Sequence, residues 1–276
     1  MSRKTKKIVT GVFEHVLIYA VLFITIFPIL WMLLASFEPQ QSIINQANHG
    51  LFEFVPTLRN YISVFTEYQF SKYTLNSFIV AFVAIFCSLL IGLPCAYAIA
   101  RFKMRKSSVV VLLVRMIPGI SFLLPWFSIF SALGLRNTYT ALILSHMLVA
   151  LPYIVWIMIP NFEAIPMELE EAAWIDGCNR YGAFLRVAVR LSTPGILTAT
   201  LLAFIFSWNN FMFSIVLSGR STTTLPVAVF NFVSYAYIDW GGLMAAACAI
   251  TLPIVVLSLC LQKYIISGLT AGAVKG

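Results

Sequence analysis

The chain has 276 residues, of which 61% are hydrophobic and 10% charged, with a formal net charge of +8 and a mean hydropathy of +0.92. Soluble domains carry about 25% charged residues, so this composition excludes a folded surface that is mostly wet. At this length, surface-to-volume scaling also excludes a soluble protein made only of core helices. The positive charge does not point to nucleic acid, because the basic residues flank apolar runs instead of forming a stripe.

The start, MSRKTKK, is charged like the first part of a signal peptide. The apolar run after it is too long for one and shows no small-residue cleavage site, so it reads as a retained first span. A bilayer-crossing helix needs about 20 mostly apolar residues. Six stretches satisfy this, at 12–36, 73–100, 109–133, 138–160, 193–217 and 241–265. Two sizeable polar loops fall at 37–72 and 218–240. The second is rich in Ser, Thr and aromatics, and suits either an interfacial aromatic belt or a docking surface for a soluble partner. Pro28, Pro94, Pro118, Pro125, Pro152, Pro194 and Pro253 fall in the apolar stretches or at their ends. Each removes a backbone donor; this suits a bundle that changes shape, and equally the general abundance of Pro in membrane helices. Cys87, Cys95, Cys248 and Cys260 lie in apolar segments and Cys178 in a polar one, with no spacing that points to a metal.

Orientation follows from Lys and Arg, which are retained on the cytoplasmic side. One set of ends holds Arg3, Lys4, Lys6, Lys7, Arg101, Lys103, Arg105, Lys106, Arg180, Arg186, Arg190, Lys263 and Lys275. The other holds Arg59, Lys72, Arg136 and Arg220, with Arg115 inside the third stretch. The expected fold is therefore an all-α membrane protein, one domain over 1–276, with six transmembrane helices and both termini in the cytoplasm. Arg115, about two helical turns into its stretch, is expected to snorkel to the interface.

Between the fourth and fifth stretches lies a polar segment, 161–192. Four of the chain's 10 acidic residues gather in its ELEEAAWIDG run: Glu168, Glu170, Glu171 and Asp176. Pro166 suits a helix start, the glutamates suit the positive end of the helix dipole, and Gly177 suits the left-handed turn that stops a helix. A second short helix is expected after it. A lipid-resting connector fits poorly, because anionic headgroups repel acids. A protein partner explains the acids and the exposed apolar residues together.

EAAWIDG followed by LSTPG resembles the EAA loop of the membrane-spanning subunits of ATP-binding-cassette importers. Glu171, Ala172, Ala173 and Gly177 match that pattern, and Val187 stands at its aliphatic position. Val189 and Arg190 replace its Leu-Pro pair, which leaves the end of the second helix open, while Leu191, Ser192 and Pro194 agree with the carbohydrate branch. AYAIARFKMR, GLRNTYTALIL, FSWNNF, TLPVAV and the tail GLTAGAVKG extend the resemblance to the maltose-type sugar permeases over nearly the whole chain.

The resemblance implies a permease subunit of an ATP-driven sugar importer in the prokaryotic cytoplasmic (inner) membrane. It implies a heterodimer with a second permease, two ATPase subunits and an extracytoplasmic sugar-binding protein. The loop at about 161–192 would be the coupling helix, with Glu171, Ala172, Ala173, Asp176 and Gly177 meeting the ATPase. The tail 269–276 would touch the same subunit. The chain would bind no cofactor itself, ATP and Mg residing on the partner; in keeping with this, it has no GxxxxGK[ST] phosphate loop.

A sugar path needs polar groups and aromatic faces inside the bundle. Trp208, Asn209 and Asn210 are the first candidates, with Tyr153 and Trp126 behind them; Asn209 and Asn210 would equally serve to bond helices together. Two other classes remain to be weighed. Ser121 with His146 would make an intramembrane serine protease. An ion-driven secondary transporter would need intramembrane carboxylates, which the six stretches largely lack.

Overall fold

The computed structural model describes residues 3–44, 53–234 and 237–270, with side chains over 11–44, 53–234 and 237–263. Most of the tail 269–276, including Lys275, lies outside the described residues, as do the side chains of Arg3, Lys4, Lys6 and Lys7. Among the described residues the regular structure is helical, joined by turns and loops, with one isolated bridge between Val233 and Ile238.

Helix α1 (Arg3–Ser36) is followed by the short α2 (Gln40–Ile44) and α3 (Arg59–Thr66). Then come α4 (Phe70–Arg101), α5 (Arg105–Met116), α6 (Leu123–Ala132) and α7 (Tyr139–Glu163). The acidic loop contains α8 (Glu168–Ile175), α9 (Arg180–Ala183) and α10 (Val189–Leu191). The order ends with α11 (Thr193–Trp208), α12 (Met212–Leu217), α13 (Leu225–Ala228) and α14 (Trp240–Thr270).

Among the described residues, four helical stretches are long and apolar enough to cross a membrane: Gly11–Ser36, Phe70–Arg101, Tyr139–Glu163 and Trp240–Lys263. Two bent pairs raise the number to six if each is one span. The chain is thus an all-helical, multi-pass membrane protein. Large apolar side chains along α1, such as Phe13, Phe23 and Ile24, are exposed, which only a bilayer or another membrane chain makes tolerable.

Two of the expected straight spans are broken. In the third, α5 stops at Met116 and the chain bends by 86° before α6. The cause is local: Pro118 lacks an amide proton and forces Ile117 into extended backbone (φ −68°, ψ 123°). A 3-10 turn, Gly119–Phe122, then leads into α6. The fifth stretch breaks after Trp208, and the Asn210 Oδ1 accepts the Phe213 amide at 3.1 Å to start α12. By contrast Pro28, Pro94, Pro152, Pro160 and Pro253 sit inside continuous helices.

The chain forms two compact units. One comprises Met1–Phe70 with Val229–Thr251. Within it the buried Asn60 Nδ2 donates to Ser36 O and Glu38 O, both at 2.9 Å, fastening α3 to the end of α1. Gln40 donates to Ile238 O and accepts from the Gly241 amide.

The other unit comprises Ser71–Ala228 with Leu252–Gly276. Its core gathers Val80, Phe130, Ala141, Leu142, Phe213 and Leu217 from α4, α6, α7 and α12. α7 packs along both α5 and α11. Where α11 begins, Gly195 lies against Asn161 of α7, and a Cβ there would collide with the Asn161 amide.

Candidate functional site

The acidic loop is built as the sequence predicts up to its turn. Pro166 precedes α8, whose first amides close on Pro166 O and Met167 O. Glu168, Glu170 and Glu171 occupy its first turn, where the helix dipole favours negative charge. At the far end the Gly177 amide bonds Trp174 O at 3.0 Å and the Cys178 amide bonds Ala173 O at 2.9 Å. That closure needs a left-handed residue, and Gly177 has φ +88°. Asn179 then caps α9, its Oδ1 accepting the Gly182 amide at 2.7 Å. A π-helical turn, Phe184–Ala188, carries α9 into α10; α-helices often show such turns at functional sites. The Val189–Arg190 departure falls in the α10 turn, directly before the 75° bend into α11.

The two sides of α8 differ sharply. Glu168, Glu171, Ala172, Ile175, Asp176 and Gly177 are exposed, and Ala173 is half-buried. Ile175 is 87% exposed and Tyr181 69%, so apolar and acidic groups share one outward surface. Glu170 is fully buried. Its Oε1 accepts from Arg101 Nε at 2.8 Å and Arg101 Nη2 at 2.5 Å, and its Oε2 accepts from the Tyr97 hydroxyl at 2.5 Å. Arg101 Nη1 also donates to Ile165 O at 3.1 Å. The Tyr97 ring lies 5.7 Å from Phe162 and 4.8 Å from Phe184. The last turn of α4 therefore holds the end of α7, the start of α8 and the second short helix at once.

The sequence reading grouped Glu170 with its acidic neighbours and missed this inward role. The usable signal was weak: helical spacing turns Glu170 about 100° from Glu171. Nothing in the spacing says that Arg101, 69 residues upstream, is its partner. Elsewhere on the loop, the Arg180 guanidinium lies 5.3 Å from the Trp174 ring centre.

The candidates for a solute path are not brought together as one group. Trp208 is buried, and its ring packs 4.7 Å from Phe78 and 5.3 Å from Phe204, so it serves as a core residue within this chain. Trp126 stacks on Phe130 at 4.6 Å. Asn209 and Asn210 do share a cavity of about 670 Å³, together with Arg115, Phe122 and Pro152. Each spends part of its amide on backbone: Asn209 Nδ2 donates to Ile205 O, and Asn210 caps α12. Arg115 sits 4.6 Å from the Tyr153 ring and 4.1 Å from Trp156, a cation–π seat. Its guanidinium thus rests against α7.

Ser121 and His146 do not form the pair a protease reading needs. Ser121 is exposed on the 3-10 turn. His146 is buried, and its Nδ1 lies 2.7 Å from Ser207 Oγ, joining α7 to α11.

Comparison with known proteins agrees with this architecture. Residues 2–270 match the family model for the binding-protein-dependent transport system inner membrane component. The chain is 34% identical to the sulfoquinovosyl glycerol transport system permease of Agrobacterium fabrum, over 91% of this chain and 89% of that one. It is 35% identical to the trehalose/maltose transport system permease of Thermococcus litoralis, covering 92% of each. Its fold matches a chain of a bacterial ABC transporter involved in import of the acidic polysaccharide alginate, with TM-score 0.80 and 20% identity, over 96% of this chain and 98% of that one. The trehalose/maltose permease is of the kind that the sequence motifs resemble. The chain belongs to the family of inner membrane components of binding-protein-dependent transport systems.

Proposed function

We propose that this chain is the membrane-spanning permease subunit of an ATP-driven sugar importer, and that loop 161–192 couples it to a separate ATPase. It acts as one permease domain over 1–276, crossing the cytoplasmic membrane six times, the third crossing bent at Pro118 and the fifth carried by α11 and α12, with both termini inside. It pairs with a second permease, binds two ATPase subunits on its inner face, and receives solute from an external binding protein. ATP and Mg stay on the ATPase. Relatives named for trehalose/maltose and sulfoquinovosyl glycerol support a carbohydrate or glycoside as the solute.

One observation carries the coupling role: the exposed surface of α8 combines acids, small residues and a bare Ile175 beside a turn fixed by Gly177. Such a mixed surface suits a protein groove better than water or anionic lipid. In this reading Glu171 and Asp176 make polar contacts, and Ala172 and Ala173 allow close approach. Asn209 and Asn210, facing the cavity with Arg115, are the polar groups of this chain that a passing sugar meets.

Glu171→Ala combined with Gly177→Pro abolishes uptake while the protein stays in the membrane, because Pro cannot adopt the Gly177 backbone. Normal uptake by that double variant would remove the coupling role. An ion-driven transporter is separated by energy source: uptake here stops on ATP depletion and survives collapse of the ion gradient.

A further inference from the structure

Helix α4 is bonded at both of its ends to loops. At one end, as described, Tyr97 and Arg101 hold Glu170 and Ile165 of the acidic loop. At the other, Asn76 and Ser77 are buried. The Asn76 Nδ2 donates to Ser221 O at 3.1 Å and to Thr223 O at 2.8 Å, and its Oδ1 accepts from the Tyr139 hydroxyl at 2.7 Å. Ser77 Oγ accepts the Leu225 amide at 2.8 Å. Lys72 Nζ donates to Arg220 O at 3.1 Å. All these groups lie in one compact unit. The helix is continuous from Phe70 to Arg101, Pro94 included. Asn76 and Arg101 are then about 37 Å apart along the axis, at 1.5 Å per residue, more than the roughly 30 Å hydrocarbon core.

We infer that α4 is the rod that joins the acidic loop on one side of the membrane to the Ser/Thr-rich loop 218–225 on the other, with Glu170 and Asn76 as the positioning residues at its two ends. The attachments suit that work. Two guanidinium N–H groups converge on one Glu170 oxygen, the Tyr97 hydroxyl holds the other, and Arg101 adds a backbone bond at Ile165; these charge-assisted bonds mean that α8 and its lead-in cannot shift without moving the end of α4. The pair also joins the negative end of α4 to the positive end of α8, so both helix dipoles favour it. At the opposite end, one buried amide accounts for three bonds to two elements, and loop 218–225 has little freedom relative to α4.

This inference rests on the importer reading, in which the ATPase lies at one loop and the binding protein at the side of the other. It adds that occupancy of the binding protein reaches the ATPase through α4. Each end alone could be structural; coupling between ends about 37 Å apart is what a structural role would not produce, since distant independent sites act additively.

The test uses the complete complex in proteoliposomes, comparing ATP hydrolysis with and without the sugar-loaded binding protein, normalised to assembled complex. Glu170→Gln keeps the size and the Tyr97 bond but removes the charge; Asn76→Leu keeps the size and removes the bonds. Each is expected to lower the binding-protein stimulation about two- to thirtyfold, the range that positions along a coupling network command. The double variant is expected to be no worse than the worse single one, because both lie on one series path. If Glu170→Gln or Asn76→Leu fails to assemble, Tyr97→Phe and Ser77→Ala, which lose one hydroxyl each, replace them. Wild-type stimulation in the single variants would overturn the inference, and so would a double effect equal to the product of the two. Absence of any ATP-dependent uptake or stimulation in the wild-type complex would instead overturn the importer reading.

Discussion

Two arginines near helix ends in the same compact unit are treated in opposite ways. Arg101 is nearly buried and forked onto a carboxylate that has no solvent contact, with a tyrosine and a backbone carbonyl completing the set. Arg115 is exposed, and its charge rests on the faces of Tyr153 and Trp156 beside a cavity with two asparagines. A forked ion pair has one good geometry, whereas a ring face accepts a cation over a range of positions. The first arrangement suits a joint that transmits displacement. The second suits a place where contacts are exchanged as a solute passes.

The contrast can be broken from the strong side first. Arg101→Ala leaves Glu170 as an unpaired buried charge, which costs about 3–5 kcal/mol. A clear fall in the thermal unfolding midpoint of the purified complex is the expected result. Gly177→Val costs about 1–2 kcal/mol, from backbone strain in the left-handed region. A Cβ there meets nothing within 4 Å, so Gly177→Asn, which tolerates that backbone, recovers much of the loss in the same assay.

The weak side follows. Arg115→Gln removes a cation–π seat worth about 0.5–1 kcal/mol at an exposed site. The unfolding midpoint is expected to move little, with any larger effect appearing in the apparent affinity for sugar in uptake assays. Smallest in stability is Ala172→Gln, at an exposed position where substitutions stay within about 0.5 kcal/mol. Its expected signature is a loss of uptake out of proportion to that change, measured against the amount of protein in the membrane.

Much of the architecture was legible because the bilayer makes simple demands. Apolar length marked the long helices, and the Glu-rich start and Gly177 marked both ends of α8. The breaks were not legible in the same way. Pro118 and Pro94 look alike in sequence, yet only Pro118 interrupts its span, because α4 keeps its course past Pro94. Trp208 reads as a sugar platform until packing gives its ring to Phe78 and Phe204. Glu170 and Glu171 are adjacent and chemically identical. Which one turns inward depends on where α4 ends in space, and no local pattern carries that.

The most direct measurement places a photo-reactive amino acid at Ala172, on the outward surface of α8, in cells expressing the whole transport system. Irradiation is predicted to join this chain to the ATPase subunit, while the same probe at the exposed Val255 of α14 does not. Equal labelling of the ATPase from both positions, or none from Ala172 in a complex that transports normally, would contradict the claim that this loop is where the chain receives its driving force.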